Sequence, residues 1–186
     1  MQAFNITPIM PSFQGFVPRK LPEKHPNIKF GKSSIWAGMP KQYTEVSFLS
    51  TTDPLFTTLS QQFIQLQKTM YKDKGVDMDA SAHNFYLLDL YNEMIPTNTN
   101  TEYLKATTGG VMRAFKAADP KAVWVMQSWF LLNRDLWKPP QIQAYFDGIR
   151  GVNNGRDAFV VDLYADVAPL WTTTEGFYGI DWGWSM

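Results

Sequence analysis

The chain contains no cysteine, which excludes disulfides, zinc–thiolate sites and a cysteine nucleophile while leaving the compartment open. It has no excess of charge: 17 Lys and Arg balance 17 Asp and Glu. A nucleic-acid footprint, or attachment to an anionic membrane, needs a basic block, and none is present. No apolar run approaches the ~20 residues that span a bilayer. The opening MQAFNITPIM lacks the basic-then-apolar pattern of a signal peptide. His25 and His83 are isolated from each other, so no metal site is expected, and no cofactor is implied. Nor does a glycine-rich phosphate loop follow any strand-like segment, which counts against a nucleotide-binding sheet. No repeat or low-complexity linker divides the 186 residues. They read as one domain, 1–186, long enough for a sizeable core.

What is present is aromatic surface and a strand–helix alternation. Aromatics are 15% of the residues, with seven Trp; such faces suit the C–H faces of sugars as well as an ordinary core. Strand signals fall at Asn5–Met10, Asn27–Phe30, Phe85–Leu90, Ala122–Trp129, Ala158–Leu163 and Phe177–Trp184. A short helix fits Arg19–Lys24, and Gly31–Ser50 reads as a long irregular stretch, a length at which loops are often functional. Asp53-Pro54 opens a helix with an N-cap and a first-position proline. In it Leu55, Leu59, Phe63, Leu66 and Met70 recur at the period of one buried face. Thr101–Ala118 and Pro140–Ile149 are further helices. Gly109-Gly110 is either a weak point or a close-packing site. Short apolar strands separated by helices predict a parallel sheet, either open and doubly wound or part of a barrel. Each strand ends in polar and aromatic residues, and barrel sites collect at that end. The pattern favours the barrel.

The segment FYLLDLYNEMIP, Phe85–Pro96, carries the strongest chemical signal. Its apolar run delivers Asn92 and Glu93 to a strand end. Shielded there by aromatics, a carboxyl would keep its proton and donate it to a glycosidic leaving oxygen. The bland alternative is a solvated residue where strand turns to loop. Asn92 fits either a hydrogen bond to the substituent at sugar carbon 2 or a loop cap. Glycoside hydrolysis generally needs a second carboxyl group, and Asp162 and Asp166 are the other acids near a strand end. Asp162 lies in an apolar run and reads as structural, needing Arg156, Arg150 or a backbone amide as partner. Asp89 reads as a satisfied buried contact. Gln127 and Trp129 share a face by alternation, one to bind hydroxyls or orient Glu93 and the other to stack on a sugar; Trp124 reads as core.

Taken in order, seven segments resemble the alpha-N-acetylglucosaminidase family, glycoside hydrolase family 89. They are ITPIMPSFQGFVP, FLSTTDPLF, LLDLYNEMIP, DPKAVWVMQSWF, WKPPQIQAYFDGI, FVVDLYADVAPLW and FYGIDWGWSM. The resemblance implies a (β/α)8 TIM-barrel catalytic domain, α/β in class. It implies removal of terminal α-linked N-acetylglucosamine with retention, acting on heparan sulfate in metazoan members. It places Glu93 as the general acid/base, Asn92 beside the sugar, and Trp129 and Trp184 along the pocket, with Trp36 in the corresponding loop as a further substrate-binding candidate. A lysosomal or secreted setting goes with it. The expected partner is a glycan ending in N-acetylglucosamine, with no nucleic acid and no membrane.

The departures set further expectations. Ser128 stands where the family writes glycine before Trp129, and DWG precedes Trp184 in place of an apolar pair. The family's nucleophile glutamate lies on a strand later than any in this chain, and earlier strands are also absent. The chain is therefore read as about five of the eight strand–helix units of a barrel, a fragment lacking the nucleophile. A missing barrel half or a second copy is left open as partner. The other readings are a non-catalytic carbohydrate-binding protein and a nonfunctional truncation of the same fold.

Overall fold

The structure is a computed structural model that describes residues 6–28 and 30–185. Five strands form one parallel sheet: β1 (Ile9–Pro11), β5 (Asn84–Leu87), β6 (Ala122–Gln127), β7 (Ala158–Asp162) and β8 (Asp181–Trp184), adjacent in that order. The order follows the chain without reversal. A doubly wound sheet reverses at a switch point, so this sheet is wound one way, as a barrel wall is. It does not close: β1 and β8 are its two edges.

Pleating explains which residues face where. In β7, Ala158, Val160 and Asp162 are buried while Phe159 and Val161 are half-buried. In β5, Asn84 and Tyr86 are buried and Phe85 and Leu87 half-buried. The buried set meets the helices α3 (Pro54–Lys72), α4 (Thr101–Ala118) and α5 (Pro139–Arg150). The half-buried set is the inward wall of the open barrel. One face of the sheet is thus helix-covered, as the favoured barrel reading requires.

The helices begin where local chemistry dictates. Asp53 accepts from the Leu55 N–H at 2.8 Å, with Pro54 at the first position, and Asn100 caps α4 through the Glu102 N–H at 2.8 Å; each such cap contributes about 1 kcal/mol. Leu55 and Leu59 pack against the core as expected, but the rest of the α3 face differs. Phe56, Ser60 and Ile64 are buried, while Phe63 is exposed and Leu66 and Met70 are 62% and 60% exposed. Two stripes compete on this helix, and the small Ser60 belongs to the one that packs. Gln61 and Gln65 then donate to the Ala117 and Ala118 carbonyls, satisfying acceptors that end α4 without helical partners.

Gly109-Gly110 is a close-packing site. A Cβ on Gly110 would lie 2.5 Å from the Thr51 carbonyl oxygen, and one on Gly148 would lie 2.1 Å from Thr108 Oγ1. Beneath the sheet's C-terminal rim, Tyr91, Trp124, Phe130, Trp137 and Tyr145 form one aromatic cluster, with centroids 5.1–6.5 Å apart.

Several boundaries move. The first strand is Ile9–Pro11, not Asn5–Met10, and Asn5 lies outside the described residues. The strand expected at Asn27–Phe30 is β3, Phe30–Lys32. The stretch 31–50, read as irregular, holds most of that strand, α2 (Lys41–Thr44) and β4 (Ser47–Leu49). With β2 (Phe16–Val17) these make a three-stranded antiparallel sheet, β2-β4-β3. Strands of two or three residues are too short for alternation to show. Between β7 and β8 no full crossover helix forms; Gly176, Phe177 and Tyr178 have left-handed φ of 65°, 53° and 55°. Trp171 lies flat on Trp182 there, 5.4 Å between centroids and 12° between planes.

Candidate active site

The C-terminal end of β5 is built in two layers. Leu90 and Tyr91 are buried, and Tyr91 packs on Phe130, Trp137 and Tyr145. That anchor turns Asn92 and Glu93 outward, and both are exposed. The burial expected for Glu93 behind aromatics does not form: Tyr91 is buried two residues before it, and the acid itself is exposed. Glu93 has φ +52°, a left-handed conformation that costs a non-glycine residue about 1–3 kcal/mol and clusters at functional sites.

Trp36 Nε1–H donates to Glu93 Oε2. Trp36, singled out in the sequence, is thus a hydrogen-bond partner of Glu93. Ser34 stands beside it, its Oγ accepting from the Ile95 N–H at 3.3 Å. Sequence reasoning missed Ser34, and no local pattern marks it.

The neck of the loop is tied by Gln14 and Asp89. Gln14 Nε2 donates to the Leu87 carbonyl and Gln14 Oε1 accepts from the Asp89 N–H, both at 3.2 Å. Ser12 Oγ donates to the same carbonyl at 2.7 Å. Asp89 Oδ1 accepts from the Gln127 N–H at 2.8 Å, a satisfied contact as expected. Burial pushes the Asp89 carboxyl above the usual carboxylate range, and the Gln127 N–H pulls only part of the way back. Trp124 Nε1–H reaches the Leu88 carbonyl at 2.7 Å from the core, as its core assignment requires.

The remaining candidates lie further along the rim. Gln127 ends β6, in register with Val161 and, one strand on, Gly183. It faces the inward wall. Trp129 begins a 3-10 turn, Trp129–Leu132, so strand alternation no longer places it on Gln127's face; it is half-buried. Trp184 pairs with Asp162, on the helix side of the sheet, and is 59% exposed. It is three strands from β5, about 14 Å across the sheet, and one pleat out of phase with Gln127. The structure therefore groups Glu93, Asn92 and Trp36, sets Gln127 on the next strand, and leaves Trp184 apart.

Asp162 is fully buried and takes three donors: Ser128 Oγ at 2.9 Å, Leu170 N–H at 2.9 Å and Trp171 N–H at 3.1 Å. Two backbone amides and a hydroxyl, not Arg156 or Arg150, satisfy its oxygens. Ser128 does not crowd the strand end; its hydroxyl is one of the donors. Among the described residues no group of three or more His, Cys, Asp or Glu side chains converges as a metal site. No helix described is long and apolar enough to cross a membrane.

The family model described as alpha-N-acetylglucosaminidase (NAGLU) tim-barrel domain matches residues 1–186. Human alpha-N-acetylglucosaminidase is 32% identical over 187 aligned positions, covering 100% of this chain and 23% of the human protein. The chain thus spans under a quarter of that relative's length. Among solved structures, CpGH89 from Clostridium perfringens, with two glutamate-to-glutamine substitutions and its substrate GlcNAc-alpha-1,4-galactose bound, superposes with a TM-score of 0.64. It is 22% identical, covering 97% of this chain and 18% of that one. A family 89 glycoside hydrolase from the same organism in complex with PUGNAc also gives 0.64, at 21% identity and with the same coverage. The chain belongs to the alpha-N-acetylglucosaminidase family, and its one-way parallel sheet is an incomplete TIM barrel.

Proposed function

We propose that residues 1–186 form part of a glycosidase catalytic domain that removes terminal α-linked N-acetylglucosamine, with Glu93 as its general acid/base. The observation that carries this reading is the placement of Glu93: an accessible carboxylate in a strained backbone, at the C-terminal end of a barrel strand, with an indole beside it. Asn92 would bind the sugar's carbon-2 substituent, while Gln127 and Trp129 would extend the surface along the rim. Trp184 enters this surface only by resemblance. The glycan bound to CpGH89 and the human relative's activity support the substrate class. A lysosomal or secreted setting accompanies that activity.

The mechanism we infer is retaining, with the nucleophile supplied from outside these residues. Two of the rim carboxylates are already committed: Asp89 to the Gln127 amide and Asp162 to two amides and a hydroxyl. Asp166 is exposed on the loop after β7, two strands from β5. Those commitments are also the observation favouring a second reading, a protein that binds the sugar without turning it over.

The test is hydrolysis of an aryl α-N-acetylglucosaminide. The purified 186-residue chain should bind N-acetylglucosamine saturably but release no aryl alcohol; vigorous retaining turnover by it alone would sink the outside-nucleophile reading. Within a complete barrel carrying these residues, Glu93→Gln should lower kcat/KM roughly 10²–10⁴-fold. An unchanged rate would remove Glu93 from the acid role.

A further inference from the structure

Two hydrogen bonds join the segment after β3 to the Glu93 loop, Gly31 in β3 faces the same loop, and the two segments run in opposite chain directions. At Gly31, the position a Cβ would take lies 3.3 Å from the Thr97 methyl carbon. Ser34 Oγ accepts from the Ile95 N–H at 3.3 Å. Trp36 Nε1–H donates to the Glu93 carboxylate. Residues 31, 34 and 36 thus meet 97, 95 and 93, a strap laid antiparallel along the loop. The strap is anchored behind by the pairing of β3 with β4 and by a bond from the Ser33 N–H to the Val46 carbonyl at 3.0 Å.

Both sides of the last contact are strained. Glu93 has φ +52° and Ala37, directly after Trp36, has φ +49°. Non-glycine residues hold such conformations only where surrounding structure over-determines them. Ala37 and Gly38, at φ +70°, turn the chain so that the Met39 N–H closes on the Trp36 carbonyl at 2.9 Å. With the backbone turned here, the 46% exposed indole is presented edge-on, its one N–H directed at the carboxylate. An indole N–H can only donate, so it binds the charged carboxylate more strongly than the neutral acid.

We propose that Trp36 is a positioning residue for Glu93, its N–H fixing the carboxylate's orientation at the end of a strap formed by residues 31–38. The role assigned to Glu93 rests on the glycosidase reading; the contact itself does not. Protonating Glu93 converts the charge-assisted bond into a weaker one, so the indole N–H reports the carboxyl's protonation state.

The experiment is nuclear magnetic resonance of the indole N–H groups in the intact 186-residue chain, with the Trp36 signal assigned by triple resonance and by Trp36→Phe. On acidification, the Trp36 N–H signal should move upfield in the native chain. It should lose that movement in Glu93→Ala and in Glu93→Gln, the second keeping size and an acceptor. Unchanged signals from the other indoles verify that each variant is folded. A Trp36 signal that ignores pH in the native chain, or titrates equally in both Glu93 variants, overturns the proposal. If the indole responds while the chain fails to bind N-acetylglucosamine, the strap stands and the glycosidase reading falls. If the indole is silent while the chain binds the sugar, the positioning role of Trp36 falls and the glycosidase reading stands.

Discussion

At the scale of single residues, the carboxylates near the sheet's C-terminal end have different employments. Asp89 is half-buried, with burial holding its carboxyl above the ordinary range. For a raised carboxyl, folding favours the protonated form. Its contribution is full below the unfolded pKa of ~3.9 and is lost as pH rises through the folded value. Asp89→Asn keeps an oxygen for the Gln127 N–H and removes the charge. The variant should therefore be more stable than the native chain at neutral pH and no more stable in strong acid, as read by urea midpoints at the two pH values. Ser128 makes the opposite point: where the family writes glycine, its hydroxyl serves a buried charge at 2.9 Å. Ser128→Gly should cost about 2 kcal/mol in a denaturant melt, the scale of a hydrogen bond to a charged group.

Among the elements, α4 and α5 are in closest contact, because Gly148 admits Thr108 to the Tyr145 carbonyl at 2.7 Å. A methyl group at residue 148 would also fall 2.2 Å from the Lys105 carbonyl oxygen, which is backbone and cannot swing aside. Gly148→Ala should destabilise by roughly 1–3 kcal/mol or more, measured by thermal melting. The helix opened by Asp53-Pro54 was legible in the sequence because its signals are local: an N-cap, a first-position proline and an apolar period. The buried face of α3 was not, since Phe63, Leu66 and Met70 offer a more apolar stripe than Phe56, Ser60 and Ile64; only packing against α4 decides between them. The β2-β4-β3 sheet escaped notice because two or three residues carry no alternation. For the candidate site, Glu93 was legible from its strand and its resemblance. Its Trp36 partner stands 57 positions away, and that pairing exists only once the strap folds back.

For the whole molecule, the two ends of the sheet have separate duties. At the N-terminal end, buried Asp119 accepts from Asn84 Nδ2 at 2.8 Å, Tyr86 Oη at 2.9 Å and the Lys121 N–H at 2.9 Å, and pairs with Lys68 at 3.0 Å. Burial pushes its carboxyl up, but these donors outweigh it and hold the group below the usual range. Its stabilisation is present above the unfolded pKa of ~3.9 and disappears as pH falls through the lower folded value. Lys68 mirrors this. Its partial burial opposes the charge, yet Asp79 and Asp119 raise it, so its contribution persists at neutral pH and fades only as pH climbs through the raised value. Lys68→Met should cost about 3–5 kcal/mol at neutral pH by leaving a buried carboxylate short of its cation. The loss should shrink in strong acid, where Asp119 is neutral; an equal loss at both pH values would mean that packing rather than charge was removed.

The flat Trp171–Trp182 pair closes β8 without a crossover helix behind it. Two indoles this close couple through their strong far-ultraviolet transitions, giving an exciton pair on the long-wavelength side of the peptide circular dichroism. Should the edge strand lift away, that feature would vanish while the helical signal persisted. The pair is thus a built-in optical gauge of how often the barrel wall frays at its open seam, an event of far lower free energy than global unfolding.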